Sequence, residues 1–561
     1  MKVNIRKILL VGFIGSLLLA GGAFGAYKVY KSTRQAKLIK QVKTHLANSN
    51  SRKALLILQR LLRYNKDDLE ACRLMAQLSE NSRSPAALLW RNRVVELQPD
   101  SMEDRLALAQ TALVFRDFAS ATNALAVASV TAKTNASYHN IAGTVAAALN
   151  QPAQAEAHFV EAAKLRPGNE LLQLNLAVLR LHSTNNSGHA EARAALQRIG
   201  GNVTNSALRC QALRELTVDA MRLKNPNQAL LISQQLIQDT NSVFKDRLLR
   251  LDILRDSTNA AFKPTLVEYQ QEAGKLPATT YELAMWQMSK TSPGEAFAWL
   301  RTLPLSTQTN QPTSMLLAEC FTLLNDYKGL QAFLEPQNWE ELEFIRRAFK
   351  TRALRGQDLT SAAKGEWEMT LKVANNQKAS LLMLLRLAIA WKWQSEGEEL
   401  LWAIVNRYPD EKWAFDVLNR LLYVGGRTRP LMMLYNQELK RSPSDLAIKN
   451  NLAITALLLE AMELRPHDMA REVYEKSPTN SAFASTYAYS LFRQKKQAEA
   501  MKVMASLSPK DLEDPSIAGY YALLLDASGD KGKARSYFSI AEKAPMLPEE
   551  KKLFEQAMAA R

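Results

Sequence analysis

Apolar and polar positions do not alternate with a period of two over any convincing stretch of this chain, so strands are not expected. Small and large apolar residues instead recur at i, i+4 and i+7 between short polar clusters, the spacing that places side chains on one face of a helix. The turn-forming clusters Lys66-Asp67-Asp68, Pro99-Asp100-Ser101, Lys133-Thr134-Asn135 and Pro167-Gly168-Asn169 follow one another at intervals of 33, 34 and 34 residues. Near the other end Pro409-Asp410 and Pro443-Ser444 are again 34 apart. Two amphipathic helices fit within each period. One unit carries Gly143 and Ala146 on its first helix, a turn at Asn150-Gln151-Pro152, then Ala155, Phe159 and Ala162 on its second. The preceding unit repeats this with Ala109, Arg116-Asp117-Phe118, Ala121, Leu125 and Ala128, and a late one with Ala522, Gly529-Asp530, Ala534, Phe538 and Ala541.

This alternation of small and large residues in one phase resembles the tetratricopeptide repeat (TPR) family. The aromatic residue usual early in the first helix is replaced by Ala71, Arg105 and His139, which marks the copies as divergent. Further copies lie at Ala229, at Asn325-Asp326-Tyr327 with Leu330 and Leu334, at Ala388 with Leu400 and Ile404, and at Ala488 with Ala500. The resemblance implies an all-α fold: a right-handed superhelix, or α-solenoid, of about fifteen TPR-like hairpins. On this reading residues 35–242 form an N-terminal array, 243–375 degenerate hairpins or a small inserted domain, 376–547 a C-terminal array and 548–561 a capping helix. Such hairpins bury their apolar faces only by stacking, and their concave surface is the default binding site. The resemblance places Cys72, Ala76, Leu106, Gln110, Asn140, Thr144, Leu174 and Val178 on the early concave wall. Family members that grip a peptide's terminal carboxylate use Lys, Arg and Asn there; this wall is neutral and short, which points to an extended peptide or a helix of a partner protein.

Composition agrees with helix: 47% hydrophobic residues come with only 21 Gly and 20 Pro. Net charge changes the picture more. The formal +17 is confined to one end, because residues 1–66 carry 14 Lys and Arg and no Asp or Glu, while 58 basic residues face 55 acidic ones in the rest. A basic stripe along the array, the footprint of a nucleic-acid binder, is therefore not expected. Within the basic end, residues 8–27 are 20 uncharged positions, roughly 30 Å of helix and enough to span a bilayer core. They are read as a transmembrane anchor between a basic tail, 1–7, and a basic juxtamembrane segment, 28–34. The rival is a cleaved signal peptide, with Ala23 and Gly25 near a cleavage site. Its weakness is the run Lys28, Lys31, Arg34, Lys37, Lys40 and Lys43, which hinders export of a mature N-terminus and suits anionic lipid headgroups. By the same charges the body is placed on the cytoplasmic side, with a periplasmic body as the alternative. Small residues at Gly12, Ser16, Ala20, Gly21 and Gly25 are ordinary for such a segment rather than a dimerisation face.

Catalytic chemistry was sought in vain. No phosphate-cradling loop, dinucleotide fingerprint or nucleophile elbow is present, and the Gly-Gly pairs at 200–201 and 425–426 fall between helices. Cys72, Cys210 and Cys320 are far apart in apolar surroundings, as buried thiols are. His182 and His189 flank a polar loop without a ligating neighbour in sequence, and Glu340-Glu341 and Glu398-Glu399 read as solvated helix faces. Eight of nine tryptophans lie between 286 and 413; they are expected to fill degenerate repeats, with a ligand platform at Trp393 and Trp413 as the sharper alternative. The expected function is a membrane-tethered protein-binding scaffold that is not an enzyme and needs no cofactor. The alternatives are an exported repeat protein assisting secretion, envelope or polysaccharide assembly, and an enzyme with its site in 243–375.

Overall fold

The computed structural model describes residues 33–48, 50–128 and 132–559. The anchor expected at 8–27, its tail and most of the juxtamembrane segment lie outside them. Among the described residues the regular structure is helical, and no helix is long and apolar enough to cross a membrane. The chain divides into two compact units between Ser292 and Pro293, inside the stretch expected to be degenerate.

Seven helix pairs make up the described part of the first unit. They open with residues 33–47 and Ser51–Tyr64, continue through Leu69–Asn81 with Ala86–Leu97, Met102–Val114 with Phe118–Ala128, Ala136–Ala148 with Pro152–Leu165, Glu170–His182 with His189–Gly201, and Ser206–Arg222 with Pro226–Ile237, and end with Phe244–Asp256 and Phe262–Ala273, followed by Pro277–Lys290. The second unit begins with Pro293–Thr302 and the short Leu305–Thr309. Seven pairs follow, from Thr313–Leu323 with Tyr327–Leu334 to Pro515–Ala527 with Lys531–Ala541, and a final helix, Pro548–Ala559, closes the chain. Helical pairs thus run through 243–375; its irregularities are Leu305–Thr309 and the turn at 335–342, where a 3₁₀ turn, Glu340–Leu342, interrupts the rhythm.

The 34-residue polar clusters are helix N-caps. Asp68 accepts from the Ala71 N–H at 2.9 Å, Asn135 from that of Ser137 at 2.9 Å and Asn169 from that of Leu171 at 3.0 Å; Ser101, Asp445 and Asn480 cap their helices likewise. Each cap satisfies a donor that the first turn leaves open and fixes where a hairpin starts. Inside the hairpins, the residue two past the first helix turns left-handed, as at Arg116 (φ 58°), Asn150 (φ 59°), Lys392 (φ 58°) and Gly529 (φ 88°). That turn lets the second helix fold back, and the small residue facing it sets the closeness: a Cβ on Gly143 would stand 2.7 Å from the Phe159 ring. Ala155, Phe159 and Ala162, aligned at i, i+4 and i+7, are buried as the spacing predicts.

Candidate functional site

Each first helix turns one side toward its own partner helix and the next hairpin, and leaves another to solvent. In the first unit, on Met102–Val114, Leu106 is buried, whereas Gln110 is exposed and Val114 is 69% exposed. One repeat on, Asn140 is half-buried and accepts from Asn175 Nδ2 of the following hairpin at 2.8 Å, while Thr144 is exposed. One further repeat on, Leu174 is buried and Val178 half-buried. The expected wall is therefore corrected at five of its eight members, Cys72, Ala76, Leu106, Asn140 and Leu174. Leu106 and Leu174 serve the joint between hairpins, and Asn140 bridges it, because they sit about one helical position nearer the neighbouring helix. Gln110, Thr144 and Val178 share the open side. Gln110 also borders a cavity of about 280 Å³ with Ala107, Thr111 and Val114, next to the fork-to-fork pair of Arg91 and Glu80 at 2.7 and 2.8 Å. Cys72 and Ala76 are fully buried and belong to the core.

The second unit holds a groove bounded by more elements. First helices of four consecutive hairpins, Lys412–Val424, Leu446–Leu458, Ser481–Arg493 and Pro515–Ala527, supply Tyr423, Asn450, Thr455, Thr486 and Tyr520 to its lining. The opposite boundary is the C-terminal segment, through Leu547 and Glu550. Tyr423 Oη donates to the Pro545 carbonyl at 2.9 Å, the Thr428 hydroxyl to Glu549, and Tyr520 Oη to Glu550, whose second oxygen accepts from the Leu547 N–H at 2.8 Å. Burial pushes the Glu550 carboxyl up against the pull of these two donors, and it pushes the Tyr520 hydroxyl up as well. Beyond it the helix Pro548–Ala559 seats Phe554 on Tyr520 and Phe538, with ring centroids at 5.4 and 5.8 Å. Elsewhere in this unit Lys412–Val424 exposes Trp413, Val417, Leu421 and Val424 along one side, the last three bordering an open cleft of about 910 Å³.

The tryptophan platform does not form. Trp393 is buried, perpendicular to Trp367 at 5.8 Å and covered by the Arg355 guanidinium at 4.2 Å, so its ring is not open to a ligand. Trp413 stands apart from it, 40% exposed, with its indole N–H donated to Glu411 at 2.7 Å. Of the basic flank, Lys28 and Lys31 lie outside the described residues. Arg34, Lys37, Lys40 and Lys43 are exposed on the first helix; Arg34 covers the Tyr64 ring and Lys43 pairs with Glu70 at 2.8 Å, which leaves Lys37 and Lys40 for solvent-side contacts.

The three thiols are buried, which raises Cys72 and Cys210 to about 11 and Cys320 to about 12. Nucleophilic thiolate is scarce at such values. His182 meets Glu215 at 2.8 Å, a contact across one repeat that the local sequence does not reveal, and His189 meets the Ser183 carbonyl. The histidines brought together are His139 and His158, Nδ1 to Nδ1 at 3.0 Å, from the two helices of one hairpin. Among the described residues no group of three or more His, Cys, Asp or Glu is placed to hold a metal.

A stack of capped helix pairs, closed by small residues and left open on the first helices, defines a protein of tetratricopeptide-type repeats. No family model matches the chain, and no curated protein does. Solved structures of repeat proteins do. One, from work on pilF of Pseudomonas aeruginosa, is 15% identical with a TM-score of 0.32 over 40% of this chain and 99% of that one. A chain of the APC/C hetero-tetramer Cut9–Hcn1 is 12% identical with a TM-score of 0.30 over 94% and 98%. PilW, titled a type IV pilus biogenesis factor, is 15% identical with a TM-score of 0.26 over 42% and 92%. At these identities the likeness concerns the fold alone.

Proposed function

We propose that the protein is a non-enzymatic scaffold, tethered to a membrane by residues 8–27, that holds partner proteins on the open sides of its first helices. The observation that carries this is the mixed polar and apolar chemistry of those sides: Gln110, Thr144 and the half-buried Val178 in one unit, Val417, Leu421 and Val424 beside Asp416 and Arg420 in the other. Exposed apolar side chains rimmed by polar ones suit protein contact. The buried thiols, meanwhile, supply no nucleophile. Lys37 and Lys40 then face anionic headgroups, worth about 1 kcal/mol each, and the basic run from Lys28 to Lys43 favours a body on the cytoplasmic side.

Photocrosslinkers installed separately at Thr144 and Val417 of the full chain in native membranes test the reading. A discrete protein adduct at either position, abolished by a charged residue one turn away, is expected. Crosslinks to lipid only, or to the chain itself only, would sink it. The tether is tested independently by deleting residues 1–30, which should move the protein from the membrane to the soluble fraction with its helical content intact.

A further inference from the structure

We propose that the groove of the second unit is a docking site for an acidic, aliphatic segment of a partner protein, and that residues 545–550 of this chain are its resident occupant, which the partner must displace. The inference rests on the protein-binding reading above and adds to it which groove, which chemistry and what control.

The contacts of the resident segment define the chemistry. Its sequence, Pro545-Met546-Leu547-Pro548-Glu549-Glu550, presents a carbonyl, a buried leucine and two carboxylates. The groove answers with hydroxyl donors: Tyr423 to the Pro545 carbonyl, Thr428 to Glu549, Tyr520 to Glu550. Among the described residues neither carboxylate forms an ion pair with Lys or Arg. Recognition is by directed O–H donors at a partly buried seam, which selects geometry rather than bulk charge.

Covering the last hairpin does not require this reach. The seat of Phe554 on Gly519, Tyr520 and Phe538 already closes the apolar end of Pro515–Ala527 and Lys531–Ala541. Tyr423 and Thr428, by contrast, belong to a hairpin three repeats earlier. The segment crosses the groove from one wall to the other, as a ligand would.

Nor is the resident an optimal fit. A cavity of about 180 Å³ remains beneath Leu547 and Glu550, and Asn450, 5% exposed and part of its lining, leaves Oδ1 without a donor. Burial also holds the Glu550 carboxyl away from the ionised form that its donors favour. A partner segment that keeps the aliphatic and acidic pair and adds an N–H or O–H donor toward Asn450 therefore gains what the resident lacks, and an imperfect intramolecular ligand is a displaceable one.

The test uses the full chain in detergent and a fluorescent peptide of residues 544–559 as the probe. Two variants release the resident: Phe554→Asp, which unseats the helix that follows it, and Leu547→Asp combined with Glu549→Ala, which alters the segment itself. The probe should bind the wild type weakly, each variant at least tenfold more tightly, and a released chain carrying Thr428→Val less tightly again. Hydrogen exchange should rise in 548–559 while 446–527 stays protected. Release of the helix with protected repeats but no gain in probe binding would overturn the proposal. So would loss of protection in 446–527 in both variants, since the helix would then be structural. Neither result touches the crosslinks at Thr144, so the scaffold reading and this inference fail separately.

Discussion

In the first unit an arginine on one hairpin reaches a buried aspartate on the next or in the turn before it; in the second the same joint is filled with aromatic rings. Arg73 meets Asp104, Arg214 meets Asp246 at 2.6 and 2.9 Å, and Arg209 meets Asp239 at 2.6 Å, in each case with the acid side chain 5% exposed or less. In the second unit Phe349 packs on Trp391 at 5.1 Å, Trp367 on Trp393 and Tyr489 on Tyr520, each pair spanning neighbouring hairpins. The buried apolar residues follow suit: one large cluster runs from Ala318 to Phe554 beside a smaller one between Ala484 and Leu524, whereas the first unit divides its core into several smaller ones. Repeat arrays are held by nearest-neighbour terms. Ion-pair joints make each term directional and separable, while a continuous apolar core links them, so the second unit is expected to unfold as the more cooperative block.

The largest effect expected from breaking this contrast is at Trp393. Truncation to alanine removes a buried indole from the cluster that runs through the second unit and should cost about 3–5 kcal/mol, read as a lower midpoint in urea for probes in 313–541 with little change in 33–292. An unchanged second-unit midpoint would show that the aromatic joints are not what couples its repeats. Next comes Arg214→Ala, which leaves Asp246 buried without its guanidinium and should cost roughly 2–3 kcal/mol. Its exchange protection should fall most in the two hairpins on either side of the joint and fade within the apolar cluster from Leu174 to Ile253 that surrounds it.

Acid sharpens the comparison because the arginine–aspartate joints of the first unit and the C-terminal helix of the second respond with opposite sign. Burial raises Asp104 and Asp219, but the hydrogen bonds and charge of Arg73 and Arg193 outweigh it and lower both; Asp239 falls to about 2 through the Ser206 hydroxyl and the Asn241 N–H. A depressed folded value gives stability that is full above about pH 4 and lost as pH falls toward 2. Glu550 is raised instead, so docking of the final helix is fully favoured below about pH 4 and weakens as pH climbs through its folded value. Hydrogen exchange from pH 6 to 3 should show the first-unit joints loosening while 548–559 tightens; Glu550→Gln should flatten the second response and leave the first alone.

The hairpins themselves were legible because caps and small residues repeat in phase: Asp68, Ser101, Asn135 and Asn169 are visible as turn formers, and Ala155 with Phe159 as a packed face. Period alone could not separate Leu106 from Gln110, since both fit the helical spacing and only the angle of the next hairpin decides which is covered. The tryptophan crowding was visible, but not that Arg355 would cover Trp393. The groove of the second unit was the least readable part. Tyr423 and Pro545 are 122 residues apart, and nothing local in either announces the other.

The smallest expected effect tests whether the hairpin turns differ as the joints do. In the first unit the left-handed residue is Arg83, Arg116, Asn150, Lys224 or Thr258, all with φ between 51° and 59°; in the second Asn325, Asp358, Lys392, Glu460 and Lys495 take the same place, and two turns have glycine instead, at 426 (φ 63°) and 529 (φ 88°). A side chain in that region costs about 1–2 kcal/mol, and glycine recovers it only in part because its unfolded chain is freer. Arg116→Gly and Lys224→Gly should therefore each stabilise the first unit by something under about 1 kcal/mol, visible as a small rise in its urea midpoint. Gly426→Ala should lower that of the second by a similar amount, and more if the new methyl, about 3.1 Å from Pro548 Cγ, also loosens the C-terminal segment. Equal responses in probe binding and urea midpoint would tie that turn to the groove; a midpoint shift alone would leave it a matter of backbone conformation.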